Sequence, residues 1–138
     1  MKKIVLISCV KKKLSYRSKA KNLYTSTLFR SNLEYARRLN PDAIYILSAK
    51  YGLVGLEDEI DTYDLTLNTM TETQKRLWAE RVLASLREKA DLNSDHFVIL
   101  AGNNYRKDLI PHLPSYEIPL EGLSFGQQLS ELKRRNNE

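Results

Sequence analysis

Three apolar runs in this chain show no alternation with polar residues: Ile4-Val5-Leu6-Ile7, Ala43-Ile44-Tyr45-Ile46-Leu47 and Phe97-Val98-Ile99-Leu100. A strand with one wet face alternates. A continuous short run rich in β-branched side chains predicts a strand buried on both faces, which is the condition of a parallel sheet covered by helices. Each run stops abruptly, the first in Ser8-Cys9, the second in Ser48-Ala49-Lys50-Tyr51-Gly52, the third in Ala101-Gly102-Asn103-Asn104-Tyr105-Arg106. A shorter run, Tyr116-Glu117-Ile118, ends in Pro119-Leu120-Glu121-Gly122. The carboxyl ends of parallel strands lie along one edge of a sheet, and ligands bind there. Four such endings predict one shared pocket, with Ser48 and Lys50 in the same cleft as the ends of the other strands.

The segments between the runs carry helix signals. Ser26 or Thr27 caps a helix reaching about Leu39, with Leu28, Phe29, Leu33, Ala36 and Leu39 on one stripe, and Asn40-Pro41-Asp42 ends it. Thr71 with Gln74 makes a capping box for a long helix to about Ala90 that buries Trp78, Val82, Leu83 and Leu86. A short helix is expected around Arg106–Leu113, stopped by Pro114. Ser124 with Gln127 caps a last helix, with Phe125, Leu129 and Leu132 facing inward as far as Lys133-Arg134-Arg135 and a frayed 136–138. Lys11–Thr25 reads as an ordered basic loop with room for a short helical turn, and Gly52–Leu67 as an irregular acidic segment. Strand and helix thus alternate in a 138-residue chain with 42% hydrophobic residues, enough for one core. The prediction is a single domain over residues 1–138, a three-layer α/β/α sandwich with a mostly parallel four-stranded sheet whose strand order periodicity leaves open.

Charge is unevenly distributed. Of 22 Lys and Arg, eleven precede Leu39, whereas Glu34 is the single acid in that stretch out of 17 Asp and Glu. The positive potential is therefore expected on one part of the molecule, suited to nucleic acid or a phosphorylated small molecule, or else it is a solvated lysine face. Lys11, Lys12, Lys13, Arg17, Lys19 and Lys21 are interleaved with Tyr16 and Tyr24, a mixture that neutralises phosphate and stacks on bases. Cys9 is the single cysteine, which excludes an intrachain disulfide; with no signal-peptide pattern and no apolar stretch near the roughly 20 residues of a membrane span, a cytoplasmic protein without membrane association is expected.

The strand endings supply the candidate ligand contacts. Ser8 and Cys9 offer a hydroxyl and a thiol at the end of the first strand, and a buried, inert cysteine is the alternative for Cys9. Lys50 is a possible anion clamp, Tyr51 a stacking face and Gly52 a point of close backbone approach; pairing of Lys50 with the acids downstream is the other reading. Gly102, Asn104, Tyr105 and Arg106 combine a turn, an amide suited to a base edge and a bidentate anion donor. Asp61, Asp64 and Glu121 are the carboxylates placed to act as acid or base, or to hydrogen-bond a base edge instead. No Walker or dinucleotide spacing is present, and two separated histidines with one cysteine form no recognised cage, so neither a cofactor nor a metal is predicted.

Taken together, Ser8-Cys9 with Lys11-Lys12-Lys13, Leu23-Tyr24 with Ser26, Leu28 and Phe29, Tyr45 to Leu53, Tyr63-Asp64, Leu100-Ala101-Gly102 with Tyr105-Arg106, and Pro119-Leu120 with Gly122 and Gly126 resemble a small bacterial and phage domain-of-unknown-function family of the DUF6884 type, nearly end to end. More distantly, the Ser-Cys-Lys opening and the strand endings are similar to the uracil-DNA-glycosylase-like module of archaeosine synthase, a tRNA-modifying enzyme. The Pro-Cys-Ser, Pro-Tyr-Ser and Ser-His elements of that module are not reproduced, so the resemblance implies a glycosylase-like fold and a nucleobase-sized pocket rather than its chemistry. The function expected is recognition of a nucleobase or nucleotide, acting on nucleic acid or a nucleotide derivative by glycosidic hydrolysis or base modification. The alternatives are a non-catalytic nucleic-acid-binding or nucleotide-sequestering module and an enzyme for a small phosphorylated metabolite.

Overall fold

The computed structural model describes residues 1–8 and 12–137. Its centre is β1 (Lys3–Ser8), in which Ile4, Val5, Leu6 and Ile7 are all fully buried. Consecutive side chains point to opposite faces of a sheet, so four buried in succession mean that both faces are covered. β1 pairs in parallel with β3 (Ala43–Ser48) on one side and with β6 (His96–Leu100) on the other, Ser8 opposite Leu47 and Ile7 opposite Leu100. The short β7 (Tyr116–Glu117) lies parallel beyond β6.

The four expected strands are therefore parallel neighbours, but the sheet has five strands rather than four, in the order β4-β3-β1-β6-β7. The fifth, β4 (Gly52–Gly55), turns straight back from β3 and pairs antiparallel to it, Ser48 opposite Gly52. The reading of 52–67 as wholly irregular fails here because only Leu53 and Val54 stand between two glycines, too short a run to register as a strand. Gly52 opens the strand at φ +77°, a left-handed conformation that a side chain resists. The same stretch also contributes β5 (Glu59–Ile60), which pairs antiparallel with β2 (Ser18–Lys19) from the basic loop, and α1 (Ala20–Leu23) follows β2 directly.

α2 (Thr27–Arg38) connects β1 to β3, with Ser26 as its cap accepting from the Phe29 amide at 3.1 Å. α3 (Glu72–Arg87), closed by the Thr71/Gln74 capping box, lies on the connection that returns past β1 to β6. The two connections run in opposite directions along the sheet, and right-handed crossover puts their helices on opposite faces. Packing agrees: α2 lies against β1 and α5 (Phe125–Asn136), whereas α3 lies against β4 and α4 (Asn103–Arg106). The helix expected at Arg106–Leu113 is instead α4, followed by one 3-10 turn at Ile110–His112.

α5 differs from expectation at both ends. Phe125, the first residue of the helix, is 62% exposed rather than inward; Leu132 is the fully buried anchor. Its carboxyl end is held, not frayed: Asn136 is buried, its Nδ2 donates to the Ser31 carbonyl, and its own carbonyl accepts from the Arg38 guanidinium. Arg135 reaches α2 as well, donating to the Tyr35 hydroxyl at 2.9 Å.

Arg134 and then Arg135 hydrogen-bond the Glu131 carboxylate and hold its pKa at about 2, from an ordinary value of 4.5. A folded value below the unfolded one stabilises the fold fully above pH 4.5, and that contribution disappears as pH falls from there toward 2. The urea midpoint of the wild type is expected to drop across this window more steeply than that of Glu131→Gln; parallel curves would contradict the assignment.

Candidate functional site

The direction of winding reverses at β1. The chain runs from β1 to β3 through α2 on one face and later returns past β1 to β6 with α3 on the opposite face, which places a crevice at the carboxyl edge. A cavity of about 360 Å³ occupies this position, within the usual range of roughly 300–1,000 Å³ for small-molecule sites. Ser8 and Ile99 to Gly102 line it where the two strands end. The first turns of α2 supply Ser26, Leu28, Phe29 and Asn32, and those of α5 supply Phe125 and Gln128. Asn68, α4 with Tyr105 and Arg106, and the segment after β7 with Ile118 and Leu120 complete the wall.

Five of the sequence candidates, Ser8, Gly102, Asn104, Tyr105 and Arg106, meet here. Ser8 Oγ accepts from the Gly102 amide at 3.4 Å, a long contact across the mouth of the crevice. Asn104 is clamped at both ends of its amide: Oδ1 accepts from Lys75 Nζ at 3.2 Å and Nδ2 donates to Asn68 Oδ1 at 2.9 Å. Lys75 is itself only 7% exposed and donates to Glu72, which also binds Lys107. Hydrogen bonds from Lys107 and then Lys75 lower the Glu72 pKa below the ordinary carboxylate value. The Tyr105 ring is buried edge-on against Trp78, and Arg106 Nη1 donates to the Ala101 carbonyl at 2.8 Å. These bonds make the α4 side of the cavity a braced rim.

The second strand's ending does not open into the cavity. Ser48, Lys50 and Tyr51 are absent from its lining, because the chain turns back into β4 and the motif is consumed by the hairpin. Ser48 is fully buried; its hydroxyl donates to Tyr63 Oη and accepts from the Tyr51 amide, each at 3.0 Å, and its carbonyl accepts from the Trp78 indole. The Tyr63 and Tyr24 hydroxyls lie 2.6 Å apart, extending the network beneath the sheet's edge. Lys50 is exposed, with Nζ 5.4 Å from the Tyr51 ring centre and its carbonyl bonded to Arg81.

The charge asymmetry of the sequence closes on itself in space. The β2–β5 ladder lays the basic arm along the acidic segment, with the Ala20 amide on the Asp58 carbonyl and the Lys21 amide on the Leu56 carbonyl. Arg17 pairs with Asp61 at 3.4 Å, and Lys19 and Lys21 both pair with Glu57, at 3.1 and 2.7 Å. Hydrogen bonds from Lys21 and then Lys19 lower the Glu57 pKa. Lys13 Nζ stands 4.6 Å from the Tyr63 ring centre, and Lys12 is exposed. The expected free positive arm is thus partly neutralised. Cys9 and Lys11 lie outside the described residues.

Asp61, Asp64 and Glu121 are all exposed, and none lines the cavity. His96 is engaged at the opposite strand end, bonded to Ser115 Oγ at 2.7 Å and Glu117 at 2.9 Å. Among the described residues no group of three or more His, Cys, Asp or Glu is placed to hold a metal, and no helix is long and apolar enough to cross a membrane. The cavity instead recruits Ser26, Asn32, Asn68, Asn103, Phe125 and Gln128, which strand-end reasoning passed over. For Asn32 a signal existed: it follows Phe29 by one turn and precedes Ala36 by another, a polar residue within the buried stripe of α2.

Ser48→Ala is expected to destabilise the fold by about 1–3 kcal/mol, because it removes the acceptor of a half-buried amide and one partner of Tyr63. Urea unfolding checks this, and a loss below about 0.5 kcal/mol would contradict the role assigned to the hydroxyl.

No curated protein and no solved structure matches the chain. The model of a family of unknown function, DUF6884, matches residues 4–134, and the chain belongs to that family.

Proposed function

We propose that this protein recognises a nucleobase or nucleotide in the cavity at the carboxyl ends of β1 and β6. The observation that carries the proposal is the chemistry of the wall. Apolar Leu28, Phe29, Ile118 and Leu120 share it with the carboxamides of Asn32, Asn68, Asn103, Asn104 and Gln128. Arg106 is the one charged residue of the lining among the described residues. Apolar walls with a few directed amides suit a flat neutral heterocycle, whose faces are apolar and whose edges carry donors and acceptors.

Two further features support this. The Phe125 ring, largely exposed at the cavity, offers a stacking face. The first turns of α2 and α5 both contribute to the wall, and helix amino ends favour a negative substituent such as a phosphate. The volume is compatible with the nucleobase-sized pocket that the distant resemblance to a glycosylase-like module implies.

The geometry supports recognition over hydrolysis, since Asp61, Asp64 and Glu121 stand outside the lining. Calorimetric titration with the common nucleobases, nucleosides and nucleoside monophosphates tests this, and absence of binding to every member would refute it. Phe125→Ala is expected to weaken the best ligand about tenfold while leaving the thermal midpoint nearly unchanged, the ring being 62% exposed. Asp61→Asn, Asp64→Asn and Glu121→Gln are expected to leave affinity unaltered. Chromatographic detection of a product that Asp64→Asn abolishes would instead favour glycosidic hydrolysis.

A further inference from the structure

The polar groups around the cavity differ in what already holds them. Asn104 is engaged at both ends of its amide, and Asn68 Oδ1 receives one of those bonds. Gln128 Nε2 donates to the Leu123 carbonyl, Ser26 Oγ accepts from the Phe29 amide, Ser8 Oγ accepts from Gly102, and Arg106 donates to Ala101. All of these bonds serve the fold. Asn103 is exposed, and among the buried polar groups Asn32 is the exception: it lines the cavity, is only 3% exposed, and its Oδ1 has no hydrogen-bond partner among the described residues.

Nothing in the fold asks for this residue. Asparagine is a poor former of helix interiors, and a buried carbonyl lacking a partner is destabilising. Position 32 falls among Phe29, Leu33 and Ala36 on the buried side of α2, where an aliphatic side chain would pack without either penalty. Among the described residues, two other buried side-chain oxygens also lack partners, those of Asn136 and Asp108. Asn136 repays its burial by donating to Ser31, and neither residue lines the cavity. Among the described residues, Asn32 alone joins a buried acceptor without a partner to the lining of the candidate site.

We propose that Asn32 is the residue that reads the ligand, pairing its carboxamide with a heterocycle edge that presents a donor next to an acceptor. The inference rests on the cavity being a nucleobase site, and it adds which wall faces the pairing edge. A carboxamide carries one acceptor and one donor side by side, so it matches an N–H adjacent to a ring nitrogen or carbonyl oxygen. The Asn32 Oδ1 is closed to solvent in the unliganded protein, so rotation about the side-chain torsions brings the carboxamide to the ligand and also exchanges its donor and acceptor to fit either order of the edge. The braced amide of Asn104 on the opposite rim then serves shape rather than readout.

The test pairs protein variants with ligand variants. The nucleoside monophosphate that binds the wild type best is compared with its analogue methylated at the donor nitrogen of its pairing edge, in the wild type, Asn32→Ser and Asn32→Leu. The wild type is expected to prefer the unmethylated ligand about ten- to a hundredfold. In Asn32→Ser and Asn32→Leu that ratio is expected to collapse toward one, and the thermal midpoint of Asn32→Leu without ligand to stay level or rise. A ratio maintained in the variants would overturn the role of Asn32 while leaving the cavity as the binding site. Failure of the wild type to bind any nucleoside monophosphate, nucleoside or nucleobase would remove the site itself. A purely structural Asn32 would lower the thermal midpoint of both variants and leave the ratio intact, which also overturns the proposal.

Discussion

Parallel pairing on both sides of β1 puts Ser8 beside Leu47 and Ile7 beside Leu100, so three strands finish at one level. The pairing is secured by four consecutive side chains with no exposure, which leaves the strand no alternative register: a shift by one residue would exchange its faces and displace every contact with the helices above and below. The position of the cavity follows from this single constraint. Strands that end together, with connections departing in opposite directions, place the cavity at that edge of the sheet.

What surrounds the cavity is built to different degrees of rigidity. On the α4 side, Lys75 is sequestered between Glu72 and Asn104, and Asn104 passes the restraint on to Asn68. A lysine with so little exposure is tolerated because its charge meets a carboxylate and an amide oxygen. On the α2 and α5 sides the wall is made by helix first turns, fixed by the Ser26 cap and by the capping box of Ser124 and Gln127. The second layer is equally specific: Ser48, Tyr63 and Tyr24 form a hydroxyl chain under the neighbouring hairpin, which stiffens the edge without entering the cavity.

The four parallel strands and the three long helices were legible because each follows from local rules: continuous apolar runs, a threonine or serine three residues before a glutamine, a proline after an asparagine. β4 was not, since its two apolar residues derive their strand character from pairing with β3 and from Gly52, not from their own pattern. Among the site residues, Ser8 at the end of β1 and Gly102, Asn104, Tyr105 and Arg106 after β6 could be placed from strand endings alone. Ser48 and Lys50 could not, because the same sequence of a strand followed by a small residue, a cation and a glycine encodes either an open loop or a tight hairpin, and only the return of the chain as β4 decides. Asn32 and Phe125 depend on where helices start relative to the crevice, a tertiary fact with a faint trace in helix periodicity.

The basic arm and the acidic segment have a consequence that their separation in sequence conceals. Lys19 and Lys21 already share Glu57, and Arg17 already holds Asp61, so the arm resembles an ion-exchange resin in its loaded form. A phosphate arriving at Lys19 or Lys21 displaces a carboxylate belonging to the protein, not only mobile ions from solution. Such an exchange releases fewer counterions than binding to bare lysines. Glu57 keeps its other lysine when one is taken, so the acidic segment stays beside the arm as a built-in competitor for its charge.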